Sequence, residues 1–293
     1  MNRLALGIGG ALGSAATWAL ICVLAQMLSG RLPSIGINAF RVLVGGFLVF
    51  VGALGAGYGG EIAGAPLWVT LTLWASMLIG YAGGDTAFFL GMERLGVTRA
   101  HIVSMVYPLM STVAAIVVFG EAMPPVRVAG ILFVVGGVGL IVTGTGEKDA
   151  ATAREHFRGV WLVLGAALAW TLGSVMLNVP LQRVSPVAAT AIQIPLAGMV
   201  LWLTPWARGT WQVVRTTRGR EAVALAVICL FSAFSPLLYT VGIKHAGVAM
   251  GGVLSTTSPL FTIPLEIVVF DRWPSHRTLL GAVTTVLGIA LMG

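Results

Sequence analysis

Long apolar runs alternate with short polar breaks from one end of the chain to the other. Crossing a bilayer takes about 20 mostly apolar residues in a helix. Runs of that order fall at about 4–28, 35–57, 67–90, 101–119, 127–145, 158–179, 186–206, 221–243, 247–270 and 277–293. Lipid offers no partner for backbone N–H and C=O groups, so each run is expected to be helical. The longest polar stretch, GEKDAATAREHFRG at Gly146–Gly159, follows the fifth run. It divides the chain into a first half at 1–145, a linker at 146–157 and a second half at 158–293.

The halves repeat. With an offset of 152, GSAATW at Gly13–Trp18 meets GAALAW at Gly165–Trp170, and Arg41 meets Gln193. With an offset of 151, Gly91–Val142 meets Gly242–Gly293 with 14 identities in 52 pairs. Those identities include Gly96 with Gly247, Ser104 with Ser255, and Pro108 with Pro259, which apolar composition alone does not explain. Five spans per half is an odd number, so the second half starts on the opposite side of the membrane. The expected fold is an all-α integral membrane protein of ten transmembrane helices, arranged as two inverted five-helix repeats around a central cavity.

Composition narrows the solvent and the chemistry. The 293 residues are 57% hydrophobic and 9% charged, with mean hydropathy +0.96. Soluble domains carry roughly 25% charged residues. The net charge of +7 is spread over loops rather than gathered in a nucleic-acid patch. Twelve Lys and Arg follow odd-numbered runs, four lie on the other side, and Arg41 lies within a run. The basic side faces the cytoplasm, which puts both termini in the periplasm. Cys22 and Cys229 sit alone in apolar runs and read as small packing residues. There is no G-x-S-x-G, H-E-x-x-H or P-loop pattern, and no Cys/His cluster at metal spacing. No catalysis, cofactor or metal is expected, and transport would run on a gradient or downhill flux.

The most specific pattern is a pair of broken segments, MVYPLMSTVAAIVVFGE at Met105–Glu121 and TTSPLFTIPLEIVVFDR at Thr256–Arg272. With the A-x-x-W-like first helix (Trp18, Trp170), Arg41 in the second helix, and the stretches GMERLG and GIKHAG, the chain resembles the EamA-type transporters of the drug/metabolite transporter superfamily along nearly its whole length. Lys244 fits the family's small-x-Lys-aromatic stretch, Glu93 departs from it, and Asp271 stands one residue off the family's glutamate. The resemblance implies secondary transport of small metabolites across the bacterial inner membrane, often amino-acid efflux. It also implies a cavity lined by helices one to four and six to nine.

Arg41 is the arginine well inside a span, and a planar guanidinium suits a substrate carboxylate. The alternative is snorkelling to the nearby loop. Its mate Gln193 is neutral. Asp85 and Glu266 are the inward acids, candidates for a coupling proton or a substrate ammonium, or for pairing with a helix-end base. Trp18, Trp170, Tyr81, Tyr107 and Tyr239 fall in cavity-assigned spans and suit an amphipathic ligand, packing being the alternative. Trp68, Trp161, Trp202, Trp206, Trp211 and Trp273 read as an interfacial belt. The histidines, His101 and His156 among them, read as loop residues. Pro108 and Pro259 are expected to kink helices four and nine, opening carbonyls beside Tyr107 and Ser258 toward the site. These readings converge on an exporter of amino acids, aromatic or large hydrophobic ones first, working by alternating access. The alternative is an exporter of lipophilic cations, which needs an essential cavity acid, so that Asp85 or Glu266 would matter more than Arg41. Partners are the small-molecule substrate and the lipid bilayer, with no nucleic acid. Nothing in the sequence assigns an oligomeric state.

Overall fold

The computed structural model describes residues 3–119, 150–255, 257–271 and 273–292, with isolated positions between 125 and 140. Every regular element among the described residues is helical. Helices α1 (Arg3–Leu28) and α2 (Ser34–Gly55) are followed by a short α3 (Gly59–Ala63). Helix α4 (Leu67–Met77) runs through a π-helical stretch, Leu78–Asp85, into α5 (Thr86–Leu95). Then come α6 (Val97–Ser104), α7 (Tyr107–Phe119) and α8 (Ala150–Asn178). The chain continues with α9 (Pro186–Leu203), α10 (Thr210–Thr216), α11 (Gly219–Ser255), α12 (Ser258–Phe270) and α13 (His276–Met292). Among the described residues, six stretches are long and apolar enough to cross a bilayer: Arg3–Leu28, Ser34–Gly55, Leu67–Leu95, Arg154–Gln182, Pro186–Leu203 and Gly219–Ala246. The fifth apolar run of the sequence, 127–145, lies largely outside the described residues, as does Glu121.

Residues 150–157, within the stretch assigned as the linker, are helical and run into the sixth span. One expectation needs correction. The paired prolines do not kink helix interiors. Pro108 and Pro259 are each the second residue of a new helix, α7 and α12. Proline costs nothing in a first turn, because its missing N–H has no intrahelical carbonyl to meet. The break lies just before each proline, so the "kinked helix" is two helices joined by a short turn.

Helix α11 is not one straight rod. A methyl group at Gly251 would stand 3.0 Å from the carbonyl carbon of Gly242. Nine residues of straight helix would separate them by about 13.5 Å. The chain therefore folds back between Gly242 and Gly251, where the sequence divides its eighth and ninth runs.

Contacts sort the connections onto two ends. Arg31 pairs with Glu221 at 2.7 Å, Arg94 with Glu155 at 3.2 Å, and Ser34 Oγ with Glu93. Thr98, just beyond the end of α5, donates at this same end to Glu266 in the last third of α12. At the other end Ser185 Oγ donates to Glu61 at 2.8 Å, and Lys244 Nζ donates to the Val184 carbonyl at 2.9 Å.

Glycine contacts between helices come in matched sets. A methyl at Gly46 would meet Pro195 Cα at 2.9 Å, and one at Gly198 would meet Leu43 Cα at 2.5 Å. Gly46 and Gly198, like Leu43 and Pro195, are 152 positions apart. Gly7 on α1 lies against His245 and Ala246, whereas Gly159 on α8 lies against Arg94 and Leu95. Gly242 faces Ala11, and its mate Gly91 faces Val163. Small residues let backbones approach without lipid between them, so each set is a close helix crossing. Cys22 and Cys229 are buried in the main apolar cluster, which also holds Phe88, Phe89 and Met92.

Candidate functional site

A cavity of about 130 Å³ lies between the helices of the two halves. A water needs roughly 10–15 Å³ of such space, so several waters or part of a small molecule fit. Serines and aromatics alternate around the wall at one-turn spacing: Ser14 with Trp18, Ser104 with Tyr107, Trp170 with Ser174, and Ser235 with Tyr239. Residues four apart share a helix face, so α1, α8 and α11 each present one hydroxyl and one ring together, while Ser104 and Tyr107 flank a helix break. Ser255 and Ser258 complete the wall at the break between α11 and α12. Ser104 and Tyr107 do the same between α6 and α7. The carbonyl four residues before Pro108 belongs to Ser104, so a proline stands where an amide donor would otherwise be.

Tyr107, Ser174 and Tyr239 form a triangle of hydroxyls, with O···O distances of 2.9, 2.7 and 2.6 Å. Ser174 Oγ also donates to the Trp170 carbonyl at 2.6 Å. With that hydrogen used, two phenol hydrogens serve the three edges of the triangle, so the cluster is richer in acceptors than in donors. Gln193 is 1% exposed and lines the same cavity, with its Nε2 unpartnered. The wall thus offers acceptors on one side and an unsatisfied amide donor on another.

Asp85 closes the inner end. It pairs with Arg41 and accepts from Trp170 Nε1 at 2.8 Å. Arg41 is 1% exposed and is not on the cavity wall. Its guanidinium carbon lies 5.1 Å from the Trp18 ring and 5.0 Å from that of Phe89, and it donates to Ser232 Oγ at 3.4 Å. Neither the substrate-carboxylate reading nor the snorkelling reading of Arg41 describes this arrangement. A cation this deep needs a counter-ion, and Asp85 sits one helix away. Asp85 in turn pairs with neither Arg94 nor Arg99, the helix-end bases first considered for it.

Below this pair, Trp18, Trp170, Phe88 and Phe89 pack with centroids 5.2–6.3 Å apart, continuous with the main apolar cluster. The other end of the cavity reaches Leu177, one residue from the end of α8, and Thr240. The cavity therefore extends from mid-bundle toward the end where Glu61, Val184 and Lys244 meet, and the opposite end is packed shut.

Of the sequence-chosen residues, Trp18, Tyr81, Asp85, Tyr107, Trp170, Gln193, Tyr239 and Ser258 line this one cavity. Glu266 does not. It lies at the Arg94/Glu155 end, in a separate cleft with Arg99 and Trp273. His101 and His156 are corrected from loop residues to buried helical ones, and His101 packs edge-on to Phe88 at 5.1 Å. Trp68, Trp161, Trp211 and Trp273 are exposed, as a belt requires. Trp202 instead packs against Phe40 at 6.1 Å, and the Trp206 side chain lies outside the described residues. Sequence reading missed Ser14, Ser76, Ser174 and Ser235. For Ser14, Ser174 and Ser235 the available signal was an aromatic one turn away in the same span, and Ser76 had no such signal.

A long apolar helical chain with a wet, two-sided cavity and no catalytic cluster on its wall is the arrangement of a membrane carrier. The EamA-like transporter family model matches residues 5–143 and 157–293, and the chain belongs to that family. Its members are transporters, not enzymes. The chain is 24% identical over 273 residues to the aromatic amino acid exporter YddG of Ancylobacter novellus, covering 92% of this chain and 90% of that protein. It is 25% identical over 267 residues to the chloroplastic WAT1-related protein At3g02690 of Arabidopsis thaliana, covering 87% of this chain and 62% of that one. A solved crystal structure shares the fold with a TM-score of 0.71 at 20% identity, covering 99% of this chain and 95% of its own.

Proposed function

We propose that this multi-pass membrane transporter exports amino acids, aromatic or large hydrophobic ones first, across the bacterial inner membrane by alternating access. The observation that carries the reading is the central cavity wall, where rings and hydroxyls from both halves face one space. Rings give apolar area with a polar edge, which suits an aromatic side chain on a polar backbone. The hydroxyl triangle would accept from the substrate ammonium, and Gln193 Nε2 would donate to its carboxylate. The exporter name of the Ancylobacter relative points the same way.

The reading takes the chain as ten spans in two inverted halves, 1–145 and 158–293. The matched glycine contacts support it, because a two-fold relation makes residue i meet j and the mate of j meet the mate of i. The basic loops would face the cytoplasm and both termini the periplasm, so the cavity here would face outward. Pro108 and Pro259, at the starts of α7 and α12, would mark where those segments pivot. Asp85 would be the coupling residue if flux is proton-linked.

A cation exporter would need an acid unpaired in the cavity, whereas Asp85 is already paired with Arg41. Counterflow in proteoliposomes tests the proposal. Radiolabelled phenylalanine, tryptophan and leucine are expected to exchange. Exchange of lipophilic cations with no amino acid moving would overturn it.

A further inference from the structure

The second cavity, of about 230 Å³, lies at the basic-loop end, away from the central one. Its wall brings together Arg99, Glu266 and Trp273, with Gly96, Thr98 and Thr278 between them. Arg99 and Glu266 are half-buried and carry opposite charges, yet they do not pair with each other. Among the described residues Arg99 has no acid partner at all. Glu266 accepts from Thr98 through Oε2, and among the described residues its Oε1 has no donor. Opposite charges that can reach one cavity usually neutralise each other, because partial burial makes an unmatched charge costly. Two charges held apart across a cavity match a ligand that carries both signs. The Trp273 ring, 77% exposed, stands beside them as an apolar face.

We infer that this cleft is a second binding station for a zwitterionic amino acid, on the side from which an exporter loads. Arg99 holds the α-carboxylate, Glu266 the α-ammonium, and Trp273 covers the side chain. A guanidinium binds a carboxylate through two parallel N–H···O bonds, which fixes one end of the ligand. The station also gives Glu266 a role other than proton coupling. Glu266 and Ser258, which lines the central cavity, share helix α12. A ligand here and a ligand in the central cavity therefore touch opposite ends of one helix. The inference rests on the amino-acid reading above.

Equilibrium binding of radiolabelled L-phenylalanine to the purified full chain in detergent tests it. Wild type is expected to hold two molecules per chain, one in each cavity. Arg99→Gln and Glu266→Gln are expected to hold one. Phenylalaninamide and 3-phenylpropionate, each lacking one charge, should compete for the outer molecule at least about tenfold less well than phenylalanine. Arg99→Lys keeps the charge and should keep the second molecule with weakened affinity, which separates lost binding from lost folding. A single bound molecule that Arg99→Gln and Glu266→Gln leave in place overturns the station and leaves the central reading standing. A single molecule that those two variants abolish, while Gln193→Leu does not, keeps the station and overturns the central reading. No binding by wild type overturns both.

Discussion

Trp18 on α1 and Trp170 on α8 occupy matched positions and meet edge to face at 6.0 Å, yet they do different work. Trp18 lies under the Arg41 guanidinium, whereas Trp170 donates its indole N–H to Asp85. The same divergence runs through their neighbours. Arg41 in the first half corresponds to Gln193 in the second, and Asp85 corresponds to Pro236. The first half thus holds a buried ion pair where the second half holds an amide and a proline. Both halves still interrupt the helix at this level. The first does so with the π-helical stretch ending at Asp85, the second with Pro236 inside α11, which removes one N–H from the ladder. Backbone irregularity is kept in both halves, and charge is kept in one. The comparison teaches that the repeat fixes where the helix must yield, and local partners decide what the side chains do there.

The sharpest way to break this comparison is to remove one member of the ion pair. Arg41→Ala or Asp85→Ala leaves a charge buried without its partner, at a cost of about 3–5 kcal/mol. The matched change in the other half, Gln193→Leu, removes an amide whose Nε2 already lacks a partner, and is expected to cost under about 1 kcal/mol. Thermal unfolding in detergent reads both. Arg41→Met with Asp85→Leu should recover most of the single-variant loss. Equal losses at positions 41 and 193 would mean that the pair contributes packing only.

Glycine crossings probe the opposite claim, that packing is shared between the halves. Gly46→Val and Gly198→Val each push a side chain into backbone of the facing helix, where a Cβ alone would stand 2.9 and 2.5 Å away. Overpacking of this kind costs typically 1–3 kcal/mol. The two variants should lose similar stability, with Gly198→Val slightly worse. A loss at one position and none at the other would remove the support these contacts give to a two-fold relation.

Hydroxyl deletions at the cavity come next in size. Tyr107→Phe and Tyr239→Phe each remove a phenol from the triangle with Ser174, worth about 0.5–1.5 kcal/mol per hydrogen bond. Phenylalanine exchange should show KM raised by up to about tenfold, with unfolding temperature shifted only slightly. Unchanged kinetics in both variants would take the triangle out of the substrate site.

Much of the fold could be read from the sequence, because lipid imposes a single rule on each apolar run and paired Gly and Pro fix the register of the repeat. The aromatic wall was readable for the same reason. Three things were not. The Arg41–Asp85 pair joins separate helices, and helical spacing within one span carries no record of which neighbour faces it. Pro108 and Pro259 gave the position of the breaks correctly, but a proline inside a helix and a proline opening the next one look alike in sequence. Glu266 is apolar-flanked on both sides in IPLEIVVF, so it read as inward, although α12 carries it to the bundle's end.

Glu93 and Lys244 give the smallest contrast and the clearest physical reason for a departure between the halves. They are 151 positions apart, and the family pattern favours a lysine at both. Helix α2 opens with Pro33 at its N-cap, a residue without a side-chain acceptor, and Glu93 supplies one by accepting from the Ser34 N–H at 3.2 Å and from the Ser34 hydroxyl. Helix α9 opens with Ser185, whose own Oγ accepts from the Ala188 N–H at 3.2 Å, so its cap is internal. Lys244 is then left to donate to the Val184 carbonyl, one residue before that cap. An acid meets the opening serine of both helices, Glu93 at Ser34 and Glu61 at Ser185, but only α9 also carries a cap in its own side chain. Glu93→Ala should therefore cost about 1 kcal/mol, the usual size of a lost N-cap. Lys244→Ala loses one part-buried bond to a carbonyl and should cost no more than that. Pro33→Ser would give α2 a cap of its own and make Glu93→Ala close to silent. If Glu93→Ala stays as damaging in the Pro33→Ser background, the acid does something other than capping.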